Sequence, residues 1–209
     1  MFADWPASDP APASVAVPAT DRRAARHAAT RQEILDAAWA MARERGLGSL
    51  GMRELAAAVN MRAPSLYQYF GSKLEIYDAM FGEGMRQALA TVGGEVDRRQ
   101  GLDALRESGR RMVEFATSDP VRAQLLFQRT IPGFEPSPES YAPAVEMSGK
   151  VAALIKQVGI TDPQAMDMFT ALMSGLINQQ LSNDPGGTRW IRLVDRVVDM
   201  FLAEMAPAT

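Results

Sequence analysis

The sequence predicts an all-α protein with a small N-terminal domain of short helices and a larger helical body. Three observations carry that prediction. Apolar residues recur at helical spacing from residue 30 almost to the end. Alternating runs of β-branched and aromatic residues, which would mark strands, are nearly absent. Breakers such as Gly46, Gly93-Gly94, Asp119-Pro120, Asp162-Pro163 and "NDPGG" fall at helix-length intervals.

Residues 1–20, with Pro6, Pro10, Pro12 and Pro18 and few large apolar groups, read as a disordered Pro/Ala-rich tail. A first helix is predicted over about 30 to 45. Thr30 and Glu33 would form its capping box, Ile34, Leu35, Ala38, Trp39, Met41 and Ala42 its buried face, and Gly46 its stop. Gly51 can cap a second, short helix over Met52 to Val59, with Leu55, Ala56 and Val59 inward and Asn60 suited to a left-handed turn. Pro64 opens a third short helix reaching about Phe70. Ser72 caps a fourth, which carries Leu74, Ile76, Tyr77, Met80, Phe81 and Met85 toward about Thr91. Further helices are predicted over about 101–117, 120–129, 142–158, 163–182 and 188–205. The long Pro-rich segment "IPGFEPSPESYAP" reads as a loop of the kind that often covers a site, with an irregular surface loop an equal alternative.

The last two helices are apolar on more than one face. In one, Met166, Phe169, Met173, Leu176 and Ile177 follow a stripe that Met168 and Leu172 leave; in the other, Ile191, Val194, Val198, Phe201 and Met205 are flanked by Trp190, Leu193, Val197 and Leu202. Helices of that kind need two partners, their own core and a second subunit. A homodimer is expected, with Phe201 and Val194 as probes of its interface; the alternative for one of them is the chain's own core, where a charge unfolds the chain instead of splitting the dimer.

Composition narrows the chemistry. The absence of cysteine rules out thiolate nucleophiles, disulfides and iron–sulfur ligation, and His27 is the sole histidine. "GLGSLG" has no following Lys-Ser/Thr and no preceding strand, so it is not a phosphate-binding loop. Glu33 with Asp36, and Asp195 with Asp199, have arginines nearby and read as solvated ion pairs. No catalytic residue, cofactor or metal site is expected. No run approaches the roughly 18 apolar residues of a membrane span, and the first residues lack a secretory signal, so a cytoplasmic protein without membrane contact is expected. Charge is polarised. Residues 22–73 carry nine basic and four acidic side chains, a net +5, against −8 for the rest and −3 overall. Such a segment fits a polyanion.

Two short helices joined by a tight turn and preceded by a longer one describe a helix-turn-helix, whose last helix enters the DNA major groove. In "RAPSLYQYFGSK", Leu66 and Phe70 can seat that helix, leaving Ser65, Tyr67, Gln68, Tyr69 and Lys73 to reach phosphates and base edges. For Tyr69 a packing role is an equal alternative.

Residues 30–81, above all "RELAAAVNM" followed by "PSLYQYFGSK", resemble the DNA-binding domain of the TetR family of bacterial transcriptional regulators. The resemblance covers about a quarter of the chain. It implies an N-terminal three-helix helix-turn-helix DNA-binding domain, residues 21–75, and a C-terminal ligand-binding and dimerisation domain, residues 76–209. It further implies that Tyr67, Tyr69 and Lys73 hold phosphates while Arg53, Arg62, Ala63, Pro64 and Ser65 face bases or the adjoining backbone. Gly51 stands where the family favours Thr, Asn60 where it favours Gly, and Arg62 where a small polar residue is common. The partners implied are a double-stranded DNA operator, a small-molecule effector and a second copy of the chain.

In the body, Met112, Phe115, Phe127, Phe134, Met147, Phe169, Met173 and Asn178 are the candidates for an apolar effector cavity edged by amides. Met and Phe at helical spacing serve equally as ordinary core. The function expected is a ligand-responsive regulator, a repressor released from a palindromic operator by a small hydrophobic effector. The competing reading is an α-helical ligand-binding or scaffold dimer without sequence-specific DNA binding.

Overall fold

In the computed structural model, residues 19–96 and 100–205 are described, and among them nine α-helices and two 3₁₀ turns occur without a strand. The helices are α1 Ala19–Arg45, α2 Met52–Ala58, α3 Ala63–Leu66, α4 Lys73–Val96, α5 Gly101–Ser118, α6 Pro120–Phe127, α7 Pro138–Gln157, α8 Ala165–Asn183 and α9 Val194–Met205. The 3₁₀ turns are Leu47–Ser49 and Ile191–Leu193.

Helix α1 starts eleven residues before the predicted N-terminus, so Thr30 lies inside it and caps nothing. The alanines of "RRAARHAAT" explain the extension, because they continue a helix at no cost in side-chain entropy. Of the predicted tail, residues 1–18 lie outside the described residues, while Ala19 and Thr20 form the first turn of α1. Helix α2 begins after Gly51 as expected, and Asn60 takes the left-handed conformation at φ 55°. Helix α3 ends at Leu66 and continues only as turns to Tyr69, shorter than predicted. Ser72 caps α4, its hydroxyl accepting from the Glu75 amide at 3.2 Å. That helix runs through Gly93-Gly94, where a stop was expected.

The Pro-rich segment contracts to a short loop. Helix α7 starts at Pro138, with Ser137 as its N-cap and the Ser137 hydroxyl accepting from the Ser140 amide at 3.2 Å. Pro143 sits within this helix. It deprives the exposed Glu139 carbonyl of its helical partner, a group that water can satisfy. Asp78 of α4 holds the start of α7, accepting from the Ser137 amide at 2.6 Å and from the Ser137 and Ser140 hydroxyls at 2.8 Å each.

One apolar cluster joins Ile34, Trp39, Leu55, Leu66 and Phe70 of the first three helices and the turns beside them to Tyr77, Met80 and Phe81 of α4, and continues to Leu126 and Met147. A second fills the space between α5, α7, α8 and α9 around Leu105, Val113, Phe169, Val198 and Phe201. Gly82 and Gly84 let other helices approach α4. A Cβ at Gly82 would stand 2.9 Å from the Ser140 hydroxyl, and one at Gly84 3.0 Å from Leu126.

Val194, Val198 and Phe201 are at most 2% exposed and belong to the chain's own core, the Phe201 ring meeting Phe169 edge-on at 5.5 Å. Phe201 and Val194 therefore do not probe a subunit interface, because the helix turns its principal stripe inward. On α8 and α9 the exposed large apolar side chains among the described residues are Met168 and Met200, and Leu172 and Val197 are among those half-buried.

Candidate nucleic-acid interface and effector cavity

The first three helices form a head whose interior is apolar and whose rim is polar. Leu55, Leu66 and Phe70 are essentially fully buried, which fixes the angle of α3 against α1 and α2. With that seat filled, Arg53, Arg62, Pro64, Tyr67 and Gln68 are exposed, and Ala63, Ser65 and Tyr69 are half-buried. Arg53 and Arg62 are free to make bidentate contacts with guanine edges. Ala63 and Pro64 offer only apolar contact through their side chains, and Ser65 and Gln68 offer hydroxyl and amide groups.

The predicted phosphate holders differ in kind. Tyr67, 51% exposed, projects its ring into solvent. Tyr69 is tied down, its ring stacked on His27 at 4.8 Å and its carbonyl accepting from Arg31, which also lies over Phe70 at 4.0 Å. Lys73 is half-buried, and its ammonium donates to the Gly48 carbonyl at 3.1 Å while lying 5.4 Å from the Tyr77 ring centroid. Two of its three protons remain for an anion.

In the body, Met112, Phe127, Met147, Phe169, Met173 and Asn178 converge on one cavity of about 250 Å³, between α5, α6, α7 and α8. Phe115 and Phe134 are not among its lining. Phe115 is buried under the Arg122 guanidinium, 3.9 Å from its ring centroid, and Phe134 packs near the head between Tyr77 and Phe81. Burial holds the Arg122 pKa below its usual value, outweighing the nearby Asp119 carboxylate.

The polar lining is Ser108, Gln128, Ser148, Thr170, Ser174 and Asn178, with Tyr141, and among the described residues no charged side chain lines the cavity. Gln128 donates to the Asn178 amide oxygen at 2.9 Å. Most of these hydroxyls were not singled out from the sequence. A lone Ser or Thr on an amphipathic helix looks like any boundary residue, and only the helix rotation turns it inward.

A row of rings leads from the cavity to the head. Tyr141 stacks on Phe81 at 6.2 Å, Phe81 meets Phe134 at 6.2 Å, Phe134 meets Tyr77 at 6.0 Å, and the Tyr77 hydroxyl donates to the Leu47 carbonyl in the turn after α1. A second tie is the Arg43–Asp119 ion pair at 2.8 Å, which joins the end of α1 to the start of α6.

Residues 34–80 match the family described as bacterial regulatory proteins, tetR family. Among curated proteins, the chain is 35% identical over 105 residues to the HTH-type transcriptional activator FasR of Mycolicibacterium smegmatis, covering 47% of this chain and 45% of that protein. It is 30% identical over 156 residues to the HTH-type transcriptional repressor DrrR1 of Streptomyces coeruleorubidus, covering 73% of this chain and 54% of that one. The chain thus spans about half the length of the curated relatives it matches. Among solved structures, the regulatory protein SCO4313 superposes with a TM-score of 0.69 at 18% identity, over 87% of this chain and 98% of that chain. The regulator FadR of Bacillus subtilis in complex with stearoyl-CoA superposes with a TM-score of 0.62 at 16% identity, over 85% of this chain and 99% of that one. The all-α fold with an N-terminal helix-turn-helix is shared with these structures.

Proposed function

We propose, on the match of residues 34–80 to the tetR family of bacterial regulatory proteins, that the chain is a transcriptional regulator of that family and not an enzyme. It binds a palindromic double-stranded operator as a homodimer and is released by a small hydrophobic effector, which makes it a cytoplasmic repressor. The observation that carries this reading is the head, in which Leu55, Leu66 and Phe70 are buried while Arg53, Arg62, Tyr67 and Gln68 stand exposed around a short helix. The match of residues 34–80 to the family supports it over a scaffold reading.

Two heads must enter successive major grooves on one side of the duplex. The exposed apolar groups of α8 and α9, Met168 and Met200 with Leu172 and Val197 beside them, supply the dimer face. The effector is uncharged, since the cavity lining holds hydroxyls and amides but no cation or carboxylate. Its binding moves α4 through the Tyr141–Phe81–Phe134 rings and changes the separation of the heads. By linkage, an effector that weakens DNA binding is itself bound more weakly on DNA by the same factor.

Binding selection on randomised duplexes, with sedimentation of the free protein and its complex, tests the reading. The expected result is an inverted repeat bound by dimers. A protein that sediments as a monomer at micromolar concentration, or selects no sequence, overturns it. Screening uncharged apolar compounds by thermal shift, then by release from the selected duplex, identifies the effector class.

A further inference from the structure

Apart from His27, which stacks on Tyr69, the N-terminal extension of α1 is unexplained by the head's packing. Arg22, Arg23, Arg26 and His27 are all exposed, and none of the three arginines pairs with a carboxylate among the described residues. At roughly 100° per residue, the three arginines, His27 and Thr30 fall within an arc of about 140°, and Ala24, Ala25, Ala28 and Ala29, with Asp21 among them, occupy the opposite side. The extension is therefore a helix with one basic face and one alanine-rich face.

Apart from Asp21, its charge is placed against its own dipole. The N-terminus of a helix carries partial positive charge, so cations in the first turns raise the energy of the free helix, whereas Arg43 and Arg45 in the last turn lower it. An anionic partner reverses that penalty. The basic face is also continuous with the reading head, since His27 stacks on Tyr69 and the next basic residue, Arg31, donates to the Tyr69 carbonyl. From His27 back to Ala19 the helix extends about 12 Å, a length of duplex axis that carries about seven phosphates on its two strands.

We propose that this arm is a second DNA-contacting element, laying Arg22, Arg23, Arg26 and His27 against the phosphate backbone beside the phosphates met by the Tyr69 end of the reading head. The inference rests on the DNA-binding reading above and extends it to a surface outside the helix-turn-helix. An anionic membrane is the poorer partner, because the alanine face offers no large apolar side chain to insert. Contacts of this kind add affinity without sequence preference.

The test compares the full chain with Arg22→Ala/Arg23→Ala/Arg26→Ala on the selected duplex and on a random duplex of equal length, across a salt series. The expected result is unchanged sequence preference, weaker binding to both duplexes, and a salt slope reduced by about 2 to 3 per arm. Hydroxyl-radical protection should shrink next to each half-site. The corresponding triple Lys variant should restore the slope, since phosphates answer to charge. The alanine variant should keep its helical circular dichroism, because the substituted positions are exposed and alanine favours helix. A wild type that binds the selected duplex while the triple variant matches it in slope and protection overturns the arm alone. A wild type with no sequence preference overturns the regulator reading as well. Loss of binding to anionic vesicles with an unchanged DNA slope assigns the arm to membranes and also overturns the proposal.

Discussion

The head and the body place their candidate functional groups in opposite ways. In the head, Arg53, Arg62, Tyr67 and Gln68 radiate from a filled core, and their neighbours in sequence, Leu55 and Leu66, do the packing. In the body, Met112, Phe127, Met147, Phe169 and Asn178 come from four helices and converge on a cavity. An outward-facing site is set by local register, so it survives small changes in how distant helices pack. A convergent site exists only as long as every wall is in place. Body variants should therefore trade fold, assembly and ligand response against one another, while head variants should change DNA binding alone.

The sharpest break of that comparison lies on α9. Phe201→Asp buries a charge against Phe169 and is expected to cost more than about 4 kcal/mol, enough to unfold the body. Met200→Asp, at a position 61% exposed, should leave circular dichroism unchanged and convert the dimer to monomers. Sedimentation with circular dichroism separates the two. A dimeric, folded Met200→Asp would move the interface elsewhere.

In the head, alanine at Arg53 or at Arg62 should cost about 1–3 kcal/mol of DNA affinity and relax preference at one base pair per half-site, with no change in melting temperature. The selected sequence logo checks it. Lys73→Ala should weaken all duplexes alike and lower the salt slope by roughly one unit per subunit. An effect of Lys73→Ala on stability alone would assign its Gly48 bond a purely structural role.

Between the two regions, Phe134→Ala removes a ring that touches both Tyr77 and Phe81. It should leave DNA affinity and effector affinity near wild type when each is measured separately, and reduce the coupling between them by about 0.5–2 kcal/mol. Titrating effector with and without the selected duplex measures it. Undiminished coupling would shift attention to the Arg43–Asp119 pair.

The smallest expected effect is at Asp184, between α8 and α9. The Arg189 amide donates to its carboxylate at 2.8 Å and Gln180 adds a second bond, which together hold its pKa below the usual carboxylate value. A depressed folded-state pKa adds stability above the unfolded-state pKa and loses it as pH falls through the folded one. Asp184→Asn should thus lower the melting temperature slightly at neutral pH, and the gap to wild type should close on acidification below about pH 4. A gap that does not change with pH would assign the effect to lost turn geometry.

Much of this molecule follows from local chemistry. Asn60 in its left-handed turn, Pro64 in the first turn of α3, Ser72 as a cap and the Leu66–Phe70 seat were all legible because each depends on residues within a few positions. Which side chains of α3 stand exposed was legible for the same reason, since burying one face of a short helix dictates what the other presents. Three features required the fold. The start of α1 escaped a search for caps because a run of alanines sustains a helix without announcing its end. The inward direction of Val194 and Phe201 escaped because two apolar stripes on one helix look alike until the neighbours α5 and α8 choose between them. The cavity escaped in part, with Phe115 and Phe134 turned elsewhere and Ser108, Thr170 and Ser174 turned in. Periodicity determines which face of a helix is apolar, but the rotation of each helix against its neighbours decides what that face meets, and that rotation is a property of all the contacts together.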